Sequence, residues 1–135
     1  MDESENKQRE ITIHMQQAQE MLRVAQDNLR NGYYGSSINR SYYAVFHAAN
    51  ALLLSIDKPR TKHFGVISAF RQYFVKTGLW PAEFSRSYGR ILTDRQTSDY
   101  QPSAIITQAD ALDDLQDAEQ FVMQAEVWLK NEGWL

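Results

Sequence analysis

The sequence contains no cysteine. That excludes a disulfide framework, thiolate metal sites, iron–sulfur clusters and a thiol nucleophile. Proline is scarce: Pro59, Pro81 and Pro102 fall at nearly even intervals and read as punctuation between helices. The longest apolar stretch, Tyr42 to Ile56, is broken by His47 and Asn50, short of the roughly 18 unbroken residues of a membrane span. The polar opening residues lack the apolar core of a secretory signal, so a cytoplasmic protein is expected. No sustained period-two alternation is present, so strands are not expected. A Gly-rich phosphate loop is also missing. The three histidines lack paired metal-ligand spacing, and Asp110, Asp113, Asp114 and Asp117 read as a solvated helix face. Neither metal nor cofactor is expected.

The 135 residues are 43% hydrophobic, enough to bury the core of one domain spanning 1–135. Fourteen basic and 17 acidic residues leave a net charge of -3, a poor average for a nucleic-acid binder. The distribution is uneven. Residues 1–35 carry -2, residues 36–99 carry +5 and residues 100–135 carry -6. The positive charge sits in the central block, and the acid is concentrated in the last 36 residues.

Helical periodicity organises the whole chain. Ile11, Met15, Ala18, Leu22, Ala25 and Leu29 form one apolar stripe, predicting a helix from about Lys7 to Asn31, with 1–8 expected to fray. A second helix is expected over Tyr34–Ile56 and a third over Lys62–Thr77. A fourth starts near Pro81, and a last one at Ser103 or Thr107, where Thr107 and Asp110 resemble a capping box. The expected architecture is all-α: an antiparallel bundle of four main helices plus a shorter one.

The second helix carries the information. At about 100° per residue, Ile38, Tyr42, Val45, Ala49, Leu52 and Ile56 share one face, the expected core face. Ser37, Ser41, Ala44, Ala48, Ala51 and Ser55 form a small-residue stripe that lets another helix approach closely. Arg40, Tyr43, His47, Asn50 and Leu54 form a third strip opposite the core. Such a mixture suits a half-buried polar site or an interface better than open solvent. An imidazole can act as acid or base near neutral pH, and a guanidinium offers a forked donor set to phosphate. Spacing alone is a weak signal: chance gives roughly 0.6 Arg–His pairs of this kind in a chain of this composition. Arg9 and His14 also match it, but lie about 140° apart on a helix, in a terminal segment expected to fray, and are discounted. On the residues alone, His47 reads either as a satisfied interface histidine or as an acid/base.

The segment Asn39-Arg40-Ser41-Tyr42-Tyr43-Ala44-Val45-Phe46-His47-Ala48-Ala49-Asn50-Ala51-Leu52-Leu53 resembles the core signature of the HEPN superfamily, specifically its small stand-alone UPF0332 type. Ala25, Leu29, Gly32 and Tyr34 upstream fit the same pattern. So do the blocks Lys62-His63-Phe64-Gly65-Val66-Ile67 and Arg95-Gln96-Thr97-Ser98-Asp99-Tyr100. The resemblance implies a helical bundle, dimeric, with an Arg-to-His motif at the dimer interface that cleaves RNA without metal. Carried over, His47 is the acid/base and Arg40 holds the phosphate. Asn39, Tyr43, Asn50, Lys62 and His63 are expected to bind substrate, and Arg95, Asp99 and Tyr100 to form a structural network at the end of the fourth helix. The resemblance further implies a toxin-like protein whose partner is a minimal nucleotidyltransferase antitoxin. Ser41 stands where strong nucleases of the family have Asn, Asp or His after the Arg. Ala49 stands where some toxins carry a modifiable Tyr. The alternative implied by the resemblance is a non-catalytic nucleotide-binding or nucleotidyltransferase-partner subunit.

Overall fold

A computed structural model describes residues 2–135. Five α-helices follow one another: α1 (Glu3–Arg30), α2 (Tyr34–Ser55), α3 (His63–Phe70), α4 (Ala82–Tyr100) and α5 (Gln108–Asn131). A single π turn, Arg71–Val75, extends α3. The fold is thus an all-α bundle with no strand among the described residues, and none of its helices is long and apolar enough to cross a membrane.

Local chemistry explains the boundaries. α1 begins ahead of Lys7 because the Asp2 carboxylate caps it, accepting from the Glu5 N–H at 2.8 Å. Glu3 and Glu5 add negative charge where the helix dipole favours it. Lys7 then ties this first turn down: its ammonium meets Asp57 at 2.7 Å and lies over the Trp134 ring. The segment expected to fray is therefore anchored to both the α2–α3 loop and the C-terminal end. α2 stops where Asp57 turns left-handed (φ 59°) and the Lys58 N–H closes back on the Leu53 carbonyl at 2.9 Å. α5 starts at Thr107, whose hydroxyl and the Asp110 carboxylate complete the reciprocal capping box at 3.1 Å each.

The third helix does not run regularly to Thr77. It widens into the π turn after Phe70, with the Lys76 N–H donating to the Arg71 carbonyl at 2.8 Å. With this wider turn Phe70 and Phe74 are both buried and stack 5.8 Å apart, and each meets Trp80 edge-on. Aromatic packing overrides a regular helical turn here. Tyr88 of α4 and Phe121 of α5 complete this aromatic core.

α2 runs through the middle of the bundle and packs against α1, α3, α4 and α5. Its expected core face is inside: Ile38, Tyr42, Val45, Ala49 and Leu52 are fully buried. The small stripe is buried over most of its length, and the Ser37 hydroxyl donates to the Ala25 carbonyl of α1 at 2.9 Å, a contact that requires close backbones. At the other edge Gly35 lies so close to Ser98 of α4 that a Cβ would collide with its hydroxyl.

The acidic cluster of α5 is not a solvated face. Asp110 is a cap, only Asp113 points simply outward, and Asp114 is fully buried. Arg90 of α4 clamps the remaining two, donating from Nε to Asp114 at 3.0 Å and from Nη2 to Asp117 at 2.6 Å. A buried carboxyl group needs polar partners, and α4 supplies them in Arg90 and Asp94. Burial, and then the hydrogen bond and charge of Asp94, push the Asp114 carboxyl up to about 8, against the pull of Arg90. The folded state therefore keeps a proton on this pair that the unfolded chain loses near the ordinary value of 3.8. Folded protein binds more protons between those two values, so stability falls as pH rises through that window. Thermal unfolding of the wild type is expected to drop in midpoint from about pH 5 to about pH 8 more steeply than that of Asp114→Asn, which keeps the shape without the titration. Parallel pH curves for the two would contradict this assignment.

Candidate functional site

Arg40, Tyr43, His47, Asn50 and Leu54 line one side of α2, with Arg40 and His47 two helical turns apart, about 10.5 Å along the axis. Helix α1 borders this strip on one side. Arg40 Nη1 lies 3.8 Å from the Met21 sulfur, and His47 meets His14. Helices α3 and α4 border it on the other, where Arg95 Nη2 donates to the Tyr43 hydroxyl at 3.3 Å. The strip thus runs between side chains of α1 on one side and of α4 on the other.

Arg40 is exposed and has no acidic partner among the described residues. It opens onto a cleft of about 670 Å³ lined by Tyr33, Tyr34, Asn39, Ser98 and Asp99. A free guanidinium at the mouth of a polar cleft is available to an external anion.

His47 is half-buried. Its Nδ1 lies 3.1 Å from Nδ1 of His14, with the two rings 5.3 Å apart. Only one of the two facing nitrogens can carry the proton of that bond. Burial lowers the pKa of both histidines; beside His47 the charge of His14 adds to the effect, whereas Glu10 partly opposes it at His14. Both rings are therefore neutral near pH 7, and His47 keeps a basic nitrogen there. His14, discounted on its spacing from Arg9, belongs to this site. Its segment is anchored rather than frayed, and α1 carries it directly onto the Arg–His strip.

The other expected substrate residues split into two groups. His63, at the start of α3, stacks on Phe46 at 4.3 Å and shares a 2.8 Å hydrogen bond between its Nδ1 and the Tyr42 hydroxyl. Arg95 lies over the rings of Tyr42 and Tyr43, 4.9 and 5.3 Å from their centres, and pairs with Asp99 at 3.2 Å. Asn39 reaches Asp99 at 3.5 Å. Tyr42, Tyr43, Phe46, His63, Arg95 and Asp99 are therefore one cation–aromatic assembly joining α2, α3 and α4. Burial pushes the Tyr42 hydroxyl up to about 12, so it stays protonated. Lys62 is the exposed N-cap of α3, and Asn50 donates back to the Phe46 carbonyl of its own helix at 2.8 Å. Tyr100 lies outside this assembly: it is 73% exposed, past the last turn that Arg95 and Asp99 hold. Among the described residues no three His, Asp or Glu side chains converge as a metal site would require.

These features define a small helical domain whose central helix carries an Arg–His strip alongside α1. The HEPN domain family matches residues 11–128, and the chain belongs to that family. A UPF0332 protein of Thermotoga maritima is 35% identical over 116 residues, covering 86% of this chain and 88% of its own. A Methanocaldococcus jannaschii protein named "Putative toxin MJ0605" is 36% identical over 125 residues, covering 90% of each chain. A UPF0332 protein of Archaeoglobus fulgidus is 29% identical over 116 residues, covering 86% of this chain and 92% of its own.

The pKa of His63 is lowered, first by burial and then by the charge of Arg95. Arg95→Gln is expected to raise it toward the ordinary value of 6.5, measured by NMR titration of the ring protons. An unchanged or lower value would show that Arg95 does not act on His63.

Proposed function

We propose that this protein is a metal-independent endoribonuclease of the HEPN type, the toxin half of a toxin–antitoxin pair, acting as a homodimer with Arg40 and His47 in the cleaving site. The observation that carries this reading is that one strip of α2 places an exposed Arg40 with no acidic partner among the described residues two turns from a half-buried His47, whose pKa burial lowers so that its ring is neutral near pH 7. Toxin identity is supported by the relative named "Putative toxin MJ0605". A second copy, placed with its own basic central block against this one, encloses the strip in a cleft. The partner expected for neutralisation is a minimal nucleotidyltransferase.

The chemistry comes from the two side chains. Arg40 donates to the non-bridging oxygens of an RNA phosphate and stabilises the charge that builds on them. His47 takes the proton of the adjacent 2′-hydroxyl. The 2′-oxygen attacks phosphorus, the bond to the 5′-oxygen breaks, and the imidazolium returns its proton to that leaving oxygen. The products are a 2′,3′-cyclic phosphate and a 5′-hydroxyl. Tyr43 on the same strip offers an aromatic edge to a neighbouring base.

The cleft beside Arg40 favours a second reading: a nucleotide held there without cleavage, in a subunit that serves a nucleotidyltransferase. One assay separates the two. Purified protein in EDTA is expected to cleave single-stranded RNA to cyclic-phosphate ends. Arg40→Ala and His47→Ala are each expected to lose about a hundredfold or more. Intact RNA with the wild type, or equal cleavage by His47→Ala, would overturn the ribonuclease. A nucleotide-dependent rise in thermal midpoint without cleavage would favour the binding subunit.

A further inference from the structure

The His14–His47 contact has no part in the cleavage scheme, yet it bears on which nitrogen of His47 carries the ring's proton. A neutral imidazole carries its single proton on one nitrogen. If His47 were protonated at Nε2, that outward nitrogen would be a donor with no lone pair to accept a proton. If it is protonated at Nδ1, Nε2 is a free base. The nitrogen opposite its Nδ1 is Nδ1 of His14, 3.1 Å away, on a ring with no other hydrogen-bond partner among the described residues.

We propose that His14 is a positioning residue that accepts a hydrogen bond from Nδ1–H of His47 and thereby holds the His47 ring in the tautomer that leaves Nε2 free as the base. This inference rests on the ribonuclease reading: the contact has the two Nδ1 atoms share one proton, and the need for a free Nε2 base assigns that proton to His47. Glu10 lies one turn before His14 on α1 and its negative charge acts on that ring. When His47 takes a proton at Nε2, its Nδ1–H becomes a cationic donor, and the bond to His14 strengthens as the charge develops. The arrangement gives His47 the kind of oriented support that a carboxylate gives a catalytic histidine, here from a neutral ring. No proton leaves the His47 Nδ1 in this scheme, so the balance of the cleavage step is unchanged.

The test uses the full-length protein labelled with ¹⁵N in its histidines, at about pH 8 where both rings are neutral. Wild-type His47 is expected to show a protonated Nδ1 and a bare Nε2. In His14→Phe, which keeps a flat ring but offers no acceptor, His47 is expected to shift toward the Nε2–H tautomer. In His14→Gln, whose amide oxygen can accept, the wild-type tautomer is expected to return. Cleavage in EDTA should fall about tenfold to a hundredfold in His14→Phe and recover most of that in His14→Gln. A wild-type His47 protonated at Nε2, or a His47 tautomer indifferent to His14→Phe, would overturn the proposal. Should His14→Phe not fold, the wild-type nitrogen shifts and those of His14→Gln still decide it. If RNA stays intact with the wild type, the ribonuclease reading fails by itself, and the nitrogen shifts continue to decide what His14 does.

Discussion

Small side chains let α1 and α2 lie close together, and that seam fixes which residues meet across it. Ser37 donates to the Ala25 carbonyl, a bond that no longer side chain at that position could make at the same separation. The connection between the helices occupies only residues 31–33, so the pair closes as a tight antiparallel hairpin. Residues at nearly matched distances from Arg30 and Asn31, at the end of α1, then face each other. Ala25 faces Ser37, Met21 faces Arg40 and His14 faces His47. The register of an apolar seam thus sets what lies beside a polar strip, and the anchoring of α1 by Asp2 and Lys7 keeps its far end in place.

α2 serves its neighbours with three faces. One enters the core, one admits a close backbone, and the third carries the Arg–His strip. The cation–aromatic assembly of Tyr42, Tyr43, Phe46, His63 and Arg95 links the first of these to the last. It holds the helix against α3 and α4 while α1 holds it from the other side. Charge is partitioned in the same way. Within the basic central block Arg90 is consumed by Asp114 and Asp117 and Arg95 by Asp99, whereas Arg40 remains without an acidic partner among the described residues. A net acidic chain therefore keeps a local positive site where the strip needs one.

Much of this is legible in the amino-acid pattern, for physical reasons. Periodicity of about 3.6 residues places Ile38, Tyr42, Val45 and Leu52 on one face whatever the neighbours are, and those residues are buried. Thr107 and Asp110 make a purely local cap, and local chemistry needs no tertiary context. Three features are not legible because they depend on contacts between helices. His14 meets His47 only through the hairpin register of α1 against α2. Asp114 looks solvated within its own helix, and only Arg90 on another helix permits its burial. The π turn after Phe70 answers to Trp80 and Phe121 rather than to the local propensity of Arg71–Val75. Tyr100 shares a motif with Arg95 and Asp99 in sequence, but the helix ends at it and turns it outward.

The proposed function has an RNA phosphate bind between Arg40 and His47, alongside α1. The most direct measurement is an NMR titration with a short single-stranded RNA whose 2′-hydroxyls are replaced by hydrogen, so that it binds without being cleaved. Shifts are expected to concentrate on the Arg40 guanidinium, the His47 and His14 rings and the Met21 methyl. Shifts confined to other faces of the bundle, or none with RNA in large excess over protein, would contradict it.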